Sequence, residues 1–512
     1  MFTFQNFNVS GPFAVYGGPV VYGAPSTVEY LVVAGGGSGA GYAGGGGAGG
    51  YLAASGYAIT AGANITITVG GGGAAVTNVA NDGNDGNPSS INDNLNYSGS
   101  FNGSGQYLSL PSNAAFSFGT GNFTIEMWVY PVSIPTDTPL IDGRDGTGTV
   151  VKPCLFIQQS SNNFIYYVNG GIRIQGGTPS LNTWQHVALV CNSGSTKLYI
   201  NGTQSGSTYT DTNNYLTHGY RIAAFNDGST SYCLNGYISN LRVVKGVAVY
   251  TGTFTPPTRS LTVTQSSGSN ISAITGTQTS LLTLNGSSIV DTSTFALSIT
   301  NTGTVTTTNS TSPFIPLAFG GGGGGGYANS GRPGGSGGGG GIGSGNPAGG
   351  AATPSGQGNA GGAGGSYSNP YPSGGGGGAG AAGGAAVGST QSGAGGDGLY
   401  STISGANVAY SGGGGGGIGY AAAGKGAAGI GGGGIGGNGS TAAGSGTPNT
   451  GGGGGGQGYN GGGSGGAGGS GVVIIRYPDF YTVASNTTGS PNITVTGGYR
   501  IYQFNSSGTI TF

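Results

Sequence analysis

Apolar and polar positions along the chain fall into two patterns that interrupt each other. Short stretches of continuous or alternating apolar residues stop abruptly at runs of glycine, and further along the glycine gives way to such stretches again. VEYLVVAGGG (residues 28–37) starts as a strand and ends in glycine, NITITV (64–69) alternates strictly, and GVVIIRYP (471–478) leaves glycine for a strand. Period-2 alternation and short β-branched runs predict strands. No capped segment carries 3.6-residue periodicity, so almost no α-helix is expected.

The same patterns divide the chain. Residues 1–27 are aromatic and punctuated by Gly and Pro, and are expected to be an attachment segment. Residues 28–92 hold a strand, glycine runs and a second strand. From 94 to 313 the glycine runs cease and short strands alternate with Gly/Asn/Ser turns, the pattern of a sandwich. There FTIEMWVY (123–130) sets Phe123, Ile125, Met127 and Val129 on one face, and QHVALVC (185–191) and KLYI (197–200) flank a turn. Glycine returns over 314–477, and GGYRIYQFNSSGTITF within 478–512 reads as a terminal β-hairpin. The two glycine zones share one style. They predict a single discontinuous domain, closed by pairing of residues 30–34 with 472–477, into which 94–313 is inserted. The ends of such an insertion must lie close together.

Composition sharpens this picture. The chain has 512 residues, with 124 glycines, 10% aromatic residues, 5% charged residues and a net charge of −1. Disordered chains combine high charge with few aromatics, so an ordered β-rich protein is expected. No basic stripe is available for nucleic acid, and no apolar stretch approaches the roughly 20 residues that span a bilayer. The opening MFTFQNFNVS has neither a basic start nor a continuous apolar run, so no signal peptide is expected. Cys154, Cys191 and Cys233 are too few, and odd in number, for a disulfide framework.

A flexible Gly/Ser linker is the plain reading of the glycine zone. Against it, the runs at 320–326, 337–341, 374–378, 412–417, 431–434 and 451–456 contain no serine and recur at similar lengths. Such runs can form left-handed threefold helices without internal hydrogen bonds. Their backbone groups must then bond sideways to neighbouring helices, which the missing side chain permits. If the runs alternate up and down, the loops 327–333, 366–373, 399–411 and 440–450 share one end. That end is richest in tyrosine and proline, so Tyr327, Arg332, Tyr367, Tyr371, Tyr400 and Tyr410 are the candidate receptor-binding residues.

Taken together, VEYLVVAGGG, ITITVGGGG, the polyglycine runs with aromatic loops and GVVIIRYP resemble the glycine-rich domain of bacteriophage tail-fibre and tip-adhesin proteins. The resemblance implies a polyglycine-II helix bundle closed by a small β-sheet, with loops that touch a host-surface glycan or protein. It also implies a place in the virion tail, assembly in the host cytoplasm, contact with other tail proteins, and a homotrimer. GSFNGSGQYLSL, FTIEMWVYP, NTWQHVALVCNSGSTKLYINGTQSG and LNGYISNLRVVKGVAVYTGTFTPPT resemble, in order and spacing, a laminin-G-like, concanavalin A-like domain. This second resemblance implies an all-β jelly-roll sandwich that binds sugars or proteins, often with calcium.

Calcium takes six to eight oxygen ligands, and Asp142, Asp145 and Asp227 are the candidate donors; turn geometry explains each of them equally well. Glucanases on this fold need a pair of carboxylates. Glu126 is the only glutamate of the sandwich region and has no second carboxylate near it in sequence, so it is expected to be a structural hydrogen-bond partner and no enzymatic activity is expected. Trp128 and Trp184 are read as core residues ahead of sugar platforms. GxGxxG and GxSxG recur only because glycine is abundant, and none sits in a strand–turn–helix unit. A secreted or cell-surface glycine-rich adhesin is the alternative to the virion protein.

Overall fold

The computed structural model describes residues 23–42, 44–77, 81–93, 96–144, 151–227, 231–309, 311–420, 424–459 and 463–512. Among them the structure is all-β, with helix limited to the 3-10 turns Ala114–Phe116 and Gly276–Gln278.

Residues 98–308 build two antiparallel sheets. One runs in the order Gly171–Gln175, Asn163–Val168, Cys154–Gln158, Thr138–Asp142, His218–Ile222, Tyr107–Asn113 and Thr300–Thr302. The other runs Thr203–Thr210, Ser195–Ile200, Gln185–Asn192, Phe123–Ser133, Asn235–Lys245, Ser98–Asn102 and Thr306–Thr308, with Thr279–Thr283 also on Asn235–Lys245. Phe123, Ile125, Met127 and Val129 are fully buried with Leu189, Leu155 and Tyr166 in the core between these sheets. The opposite face of the second sheet is also covered: Ala188, Val190 and Tyr199 pack against Val249, Tyr250 and Phe254. A strand buried on both faces cannot display clean alternation, which explains why QHVALVC is almost uniformly apolar.

The opening strand Thr27–Val33 lies antiparallel between Tyr51–Ala58 and the closing strand Val472–Pro478, with Leu31 opposite Ile474 and Val32 opposite Val473. Val28, Val32, Val473 and Ile475 face a second five-stranded sheet that contains Asn64–Thr68 and Ser89–Asn92, where Ile65, Ile67 and Ile91 complete the core. Leu31, Val33, Val472 and Ile474 face the other way, onto Ile403 and Tyr410. Ser89–Asn92 and Leu317–Ala318, which flank the sandwich in sequence, pair with each other through Ser90–Leu317 and Ser89–Ala318.

The C-terminus departs from the expected hairpin. Tyr499–Phe504 pairs with Asn492–Thr496 and with the closing strand. Gly508–Thr511 instead crosses to the other sheet and pairs with Asn64–Thr68. Tyr502 and Phe504 on one strand and Ile510 on the next contribute to one core from both sheets.

The glycine runs form extended segments joined sideways by backbone hydrogen bonds. Gly46 N donates to Gly454 O (2.7 Å) while Gly46 O accepts from Gly414 N (2.9 Å), so one residue bonds two different segments. Close approach requires glycine here: a Cβ on Gly376 or on Gly453 would fall on the Gly46 carbonyl. Run directions follow from the pairs. Gly322 N–Ser336 O with Gly325 N–Gly339 O makes 320–326 and 337–341 parallel, and Gly453 N–Gly412 O with Gly456 N–Gly415 O does the same for 412–417 and 451–456. Both 337–341 and 412–417 run antiparallel to 374–378, through Gly377 N–Gly337 O with Gly374 N–Gly340 O and Gly376 N–Gly414 O with Ala379 N–Ser411 O. The runs 320–326, 337–341, 412–417 and 451–456 therefore point the same way, and 374–378 points back. The return legs include 374–378 and mixed segments such as 329–335, the latter shown by Gly338 N–Arg332 O and Gly341 N–Asn329 O.

Candidate ligand-binding surfaces

Because the runs 320–326, 412–417 and 451–456 point one way, the residues that follow them gather at one end, where the oppositely directed run 374–378 begins. Tyr327 follows the first run, Tyr420 follows 412–417, and Tyr459 follows 451–456. Tyr371 is the hub, with ring centroids 4.6 Å from Tyr459, 5.1 Å from Tyr367 and 5.9 Å from Tyr420. Tyr327 stands edge-on to Tyr367 at 5.3 Å, and Tyr42 lies 5.0 Å from Tyr459. Tyr327, Tyr367 and Tyr420 keep 43%, 44% and 57% of their surface in solvent. The Tyr367 and Tyr459 hydroxyls share a hydrogen bond at 3.4 Å, which pushes the Tyr367 phenol up to about 12. Apolar rings tipped with hydroxyls suit ligands that are half apolar and half hydrogen-bonding.

Three of the six sequence candidates thus meet, and three do not. Tyr410 is 3% exposed, packed with Leu31 and Val472 at the opposite end, so it is a core residue and not a surface one. Tyr400 is 60% exposed on the hairpin Leu399–Ser401/Val408–Tyr410, which the buried Ile403 and Tyr410 hold against the opening and closing strands. Arg332 lies part-way along its segment, its backbone bonded to Gly323, and its guanidinium pairs with Asp85 at 2.7 Å. Sequence reasoning missed Tyr42, in the first glycine zone, and also Tyr420 and Tyr459, because strict alternation of the pure runs leaves the loops after 412–417 and 451–456 at the other end.

Of the calcium candidates, Asp142 has its oxygens engaged by the protein itself. Asp142 is fully buried and accepts hydrogen bonds from Arg144 N, Nε and Nη2 and from Asn226 N. Its oxygens are occupied by the loop they organise. Asp227 is exposed and interacts electrostatically with the Arg144 guanidinium, and Asp145 lies outside the described residues. No cluster of three metal-ligating side chains occurs among the described residues.

Glu126 is a structural partner of a deeper kind than expected. Its Oε1 accepts from Arg242 Nε (2.8 Å) and Nη2 (2.6 Å), and its Oε2 accepts from the Tyr250 hydroxyl (2.6 Å) and lies 3.2 Å from His186 Nε2. Burial alone would raise its pKa, but the Arg242 charge and the His186 and Tyr250 hydrogen bonds outweigh burial and hold the carboxyl at about 2. Glu126 and Arg242 are both fully buried, so neither reaches a substrate.

A second surface lies where the sandwich meets the opening sheet. An open groove of about 870 Å³ is lined on one side by Tyr30, Leu52 and Tyr57 and on the other by Trp128, Trp184 and Phe314. The segments 255–260 and 313–316 close it. Both tryptophans, expected in the core, are instead partly exposed at its wall.

Residues 102–249 match the family model of the concanavalin A-like lectin/glucanases superfamily, laminin-G type. The match covers the central part of the sandwich, which is similar to a laminin-G-like domain there. No curated protein matches the chain. Among solved structures, a Bacteroides ovatus protein described as carbohydrate binding is similar at 16% identity and TM-score 0.32, over 42% of this chain and 60% of that one. A pentraxin from Limulus polyphemus is similar at 17% identity and TM-score 0.24, over 30% of this chain and 78% of that one. Mouse laminin α1 domains LG4-5 are similar at 17% identity and TM-score 0.23, over 29% and 41%.

Proposed function

We propose that this chain is a virion adhesin, a bacteriophage tail-fibre or tip protein that binds a host-surface glycan or protein. In this reading the glycine-rich segments are a polyglycine-II bundle, the laminin-G-like domain is a guest inserted into it between residues 92 and 314, and the tyrosine cluster is the face offered to the host. The observation that carries it is the gathering of Tyr42, Tyr327, Tyr367, Tyr371, Tyr420 and Tyr459 at the end where parallel glycine runs terminate. A rigid scaffold that collects aromatic loops at one pole is suited to binding, and rigid Tyr side chains give contact area at low entropic cost. Repetition over several copies on a particle would turn weak single contacts into firm attachment. A lectin-like domain on the same chain supports binding over catalysis.

The test is direct. Mass spectrometry of purified virions should find this polypeptide, and replacing Tyr327, Tyr367 and Tyr420 together by Ser should abolish adsorption while the sandwich stays folded. Recovery at a cell surface and not in virions would support the alternative, a secreted or surface adhesin. Unimpaired adsorption by the triple variant would remove the tyrosine cluster from the mechanism.

A further inference from the structure

The groove between the sandwich and the opening sheet is lined by aromatic side chains, and its wall carries the carboxylate of Asp93 and one unusual cation. Seven of the eight arginines bond a carboxylate or a main-chain carbonyl: Arg144, Arg242, Arg332 and Arg476 form ion pairs, and Arg173, Arg221 and Arg500 reach carbonyl oxygens. Arg259 is exposed at the groove and makes no hydrogen bond or ion pair with a described residue. The segment that carries it is nevertheless held in place. The next residue, Ser260, donates to Asn96 Oδ1 (2.8 Å), and Asn96 Nδ2 donates to Asp93 Oδ1 (2.9 Å), so the 255–260 segment is tied to the chain that leads into the sandwich. Asn96 is 6% exposed, which shelters this tie from solvent.

The aromatic wall is equally well supported. Trp184 packs on Tyr130 at 5.5 Å and on Tyr237 at 6.5 Å. Trp128 stands edge-on to Phe314 at 5.8 Å and to His186 at 5.3 Å. Ligand pockets typically combine such apolar walls with a few convergent polar groups. A guanidinium offers a planar fork that matches a carboxylate through two parallel hydrogen bonds. An unpaired guanidinium lining the same groove as aromatic rings therefore favours a ligand with an apolar ring face and a carboxylate.

We propose that this groove is a second binding site, specific for a pyranose that bears a carboxylate, with Arg259 on the acid group and Trp128 and Trp184 against the ring. The proposal rests on the reading of the chain as a glycan binder, and it assigns that binding to a place apart from the tyrosine cluster. Uronic and sialic acids share the required chemistry.

Calorimetry with the full chain would use oligogalacturonate, sialyllactose, and the carboxyl-reduced form of each. At least one acidic oligosaccharide should bind, its reduced form should bind at least tenfold more weakly, and Arg259→Ala should weaken the acidic ligand about tenfold, the usual loss for one charge-assisted pair. Arg259→Lys, which keeps the charge but not the fork, should recover only part. Which acid binds distinguishes the two sources. The proposal is overturned if neither acid binds, or if reduced and acidic forms bind alike with Arg259→Ala unaffected. Arg259 is exposed, so its loss should leave the melting temperature unchanged. Adsorption through the tyrosine cluster should survive Arg259→Ala, so failure of the groove and failure of the adhesin reading give different results.

Discussion

Arg476 donates two hydrogen bonds to Glu29 Oε2, at 2.9 and 2.7 Å, from a position 447 residues further along the chain. The two residues are register partners on the opening and closing strands, so the ion pair marks the seam that joins the chain's two glycine-rich regions. Its side chains keep 19% and 34% of their exposure, and partly exposed pairs contribute little, on the order of 1 kcal/mol or less. The seam is held by the fully buried Leu31, Val32, Val473 and Ile474. Leu31→Ala should therefore cost about 2–5 kcal/mol, and Arg476→Ala far less. Urea denaturation of the two variants checks the ranking, and equal losses would place the stability in the ion pair.

The glycine segments make a different demand. Gly376 approaches the Gly46 carbonyl so closely that a Cβ has no room, and its neighbour there is backbone, which cannot rotate aside. Gly376→Ala should destabilise by about 1–3 kcal/mol or more, the usual cost of forced overpacking. Gly286→Ala is the matched control, since nothing lies within 4 Å of its Cβ position and its φ is not in the left-handed range. A Gly376→Ala chain that melts with the wild type would mean that these segments do not touch in solution.

What the residues disclosed in advance depended on the range of the interaction. The inward set Phe123, Ile125, Met127 and Val129 was legible because one face of that strand meets the core and period 2 reports it directly. Pairing of the opening and closing strands was legible from the shared style of the zones they bound. Tyr420 and Tyr459 were not, because the mixed segment at 329–335 is long enough to be a return leg but was read as a loop, which inverts the count of ends. Gly508–Thr511 was recognisable as a strand, yet alternation names a buried face and not a partner, so its crossing to the other sheet stayed hidden. Trp128, Trp184 and Arg259 stand far apart in sequence and share one groove only in the folded sandwich, where the opening sheet supplies the facing wall.

Glu126 and Arg242 allow the sharpest energetic test, since both charges are fully buried. Removing one partner of such a pair leaves the other uncompensated, at a cost of about 3–5 kcal/mol. Glu126→Gln should therefore lose that much stability at neutral pH. The carboxyl's folded-state pKa, about 2, lies below its ordinary value of 4.5. The folded state thus favours the ionised form, so the stabilisation is complete above about pH 4.5 and is lost as pH falls toward 2. Denaturation midpoints of wild type and Glu126→Gln should differ widely at pH 7 and converge below pH 3, where protonation also leaves Arg242 without its countercharge. Arg242→Met combined with Glu126→Gln should recover part of the loss, because no buried charge then remains. A gap between wild type and Glu126→Gln that stays constant from pH 7 to pH 2.5 would show that Glu126 acts through its shape and hydrogen bonds and not through its charge.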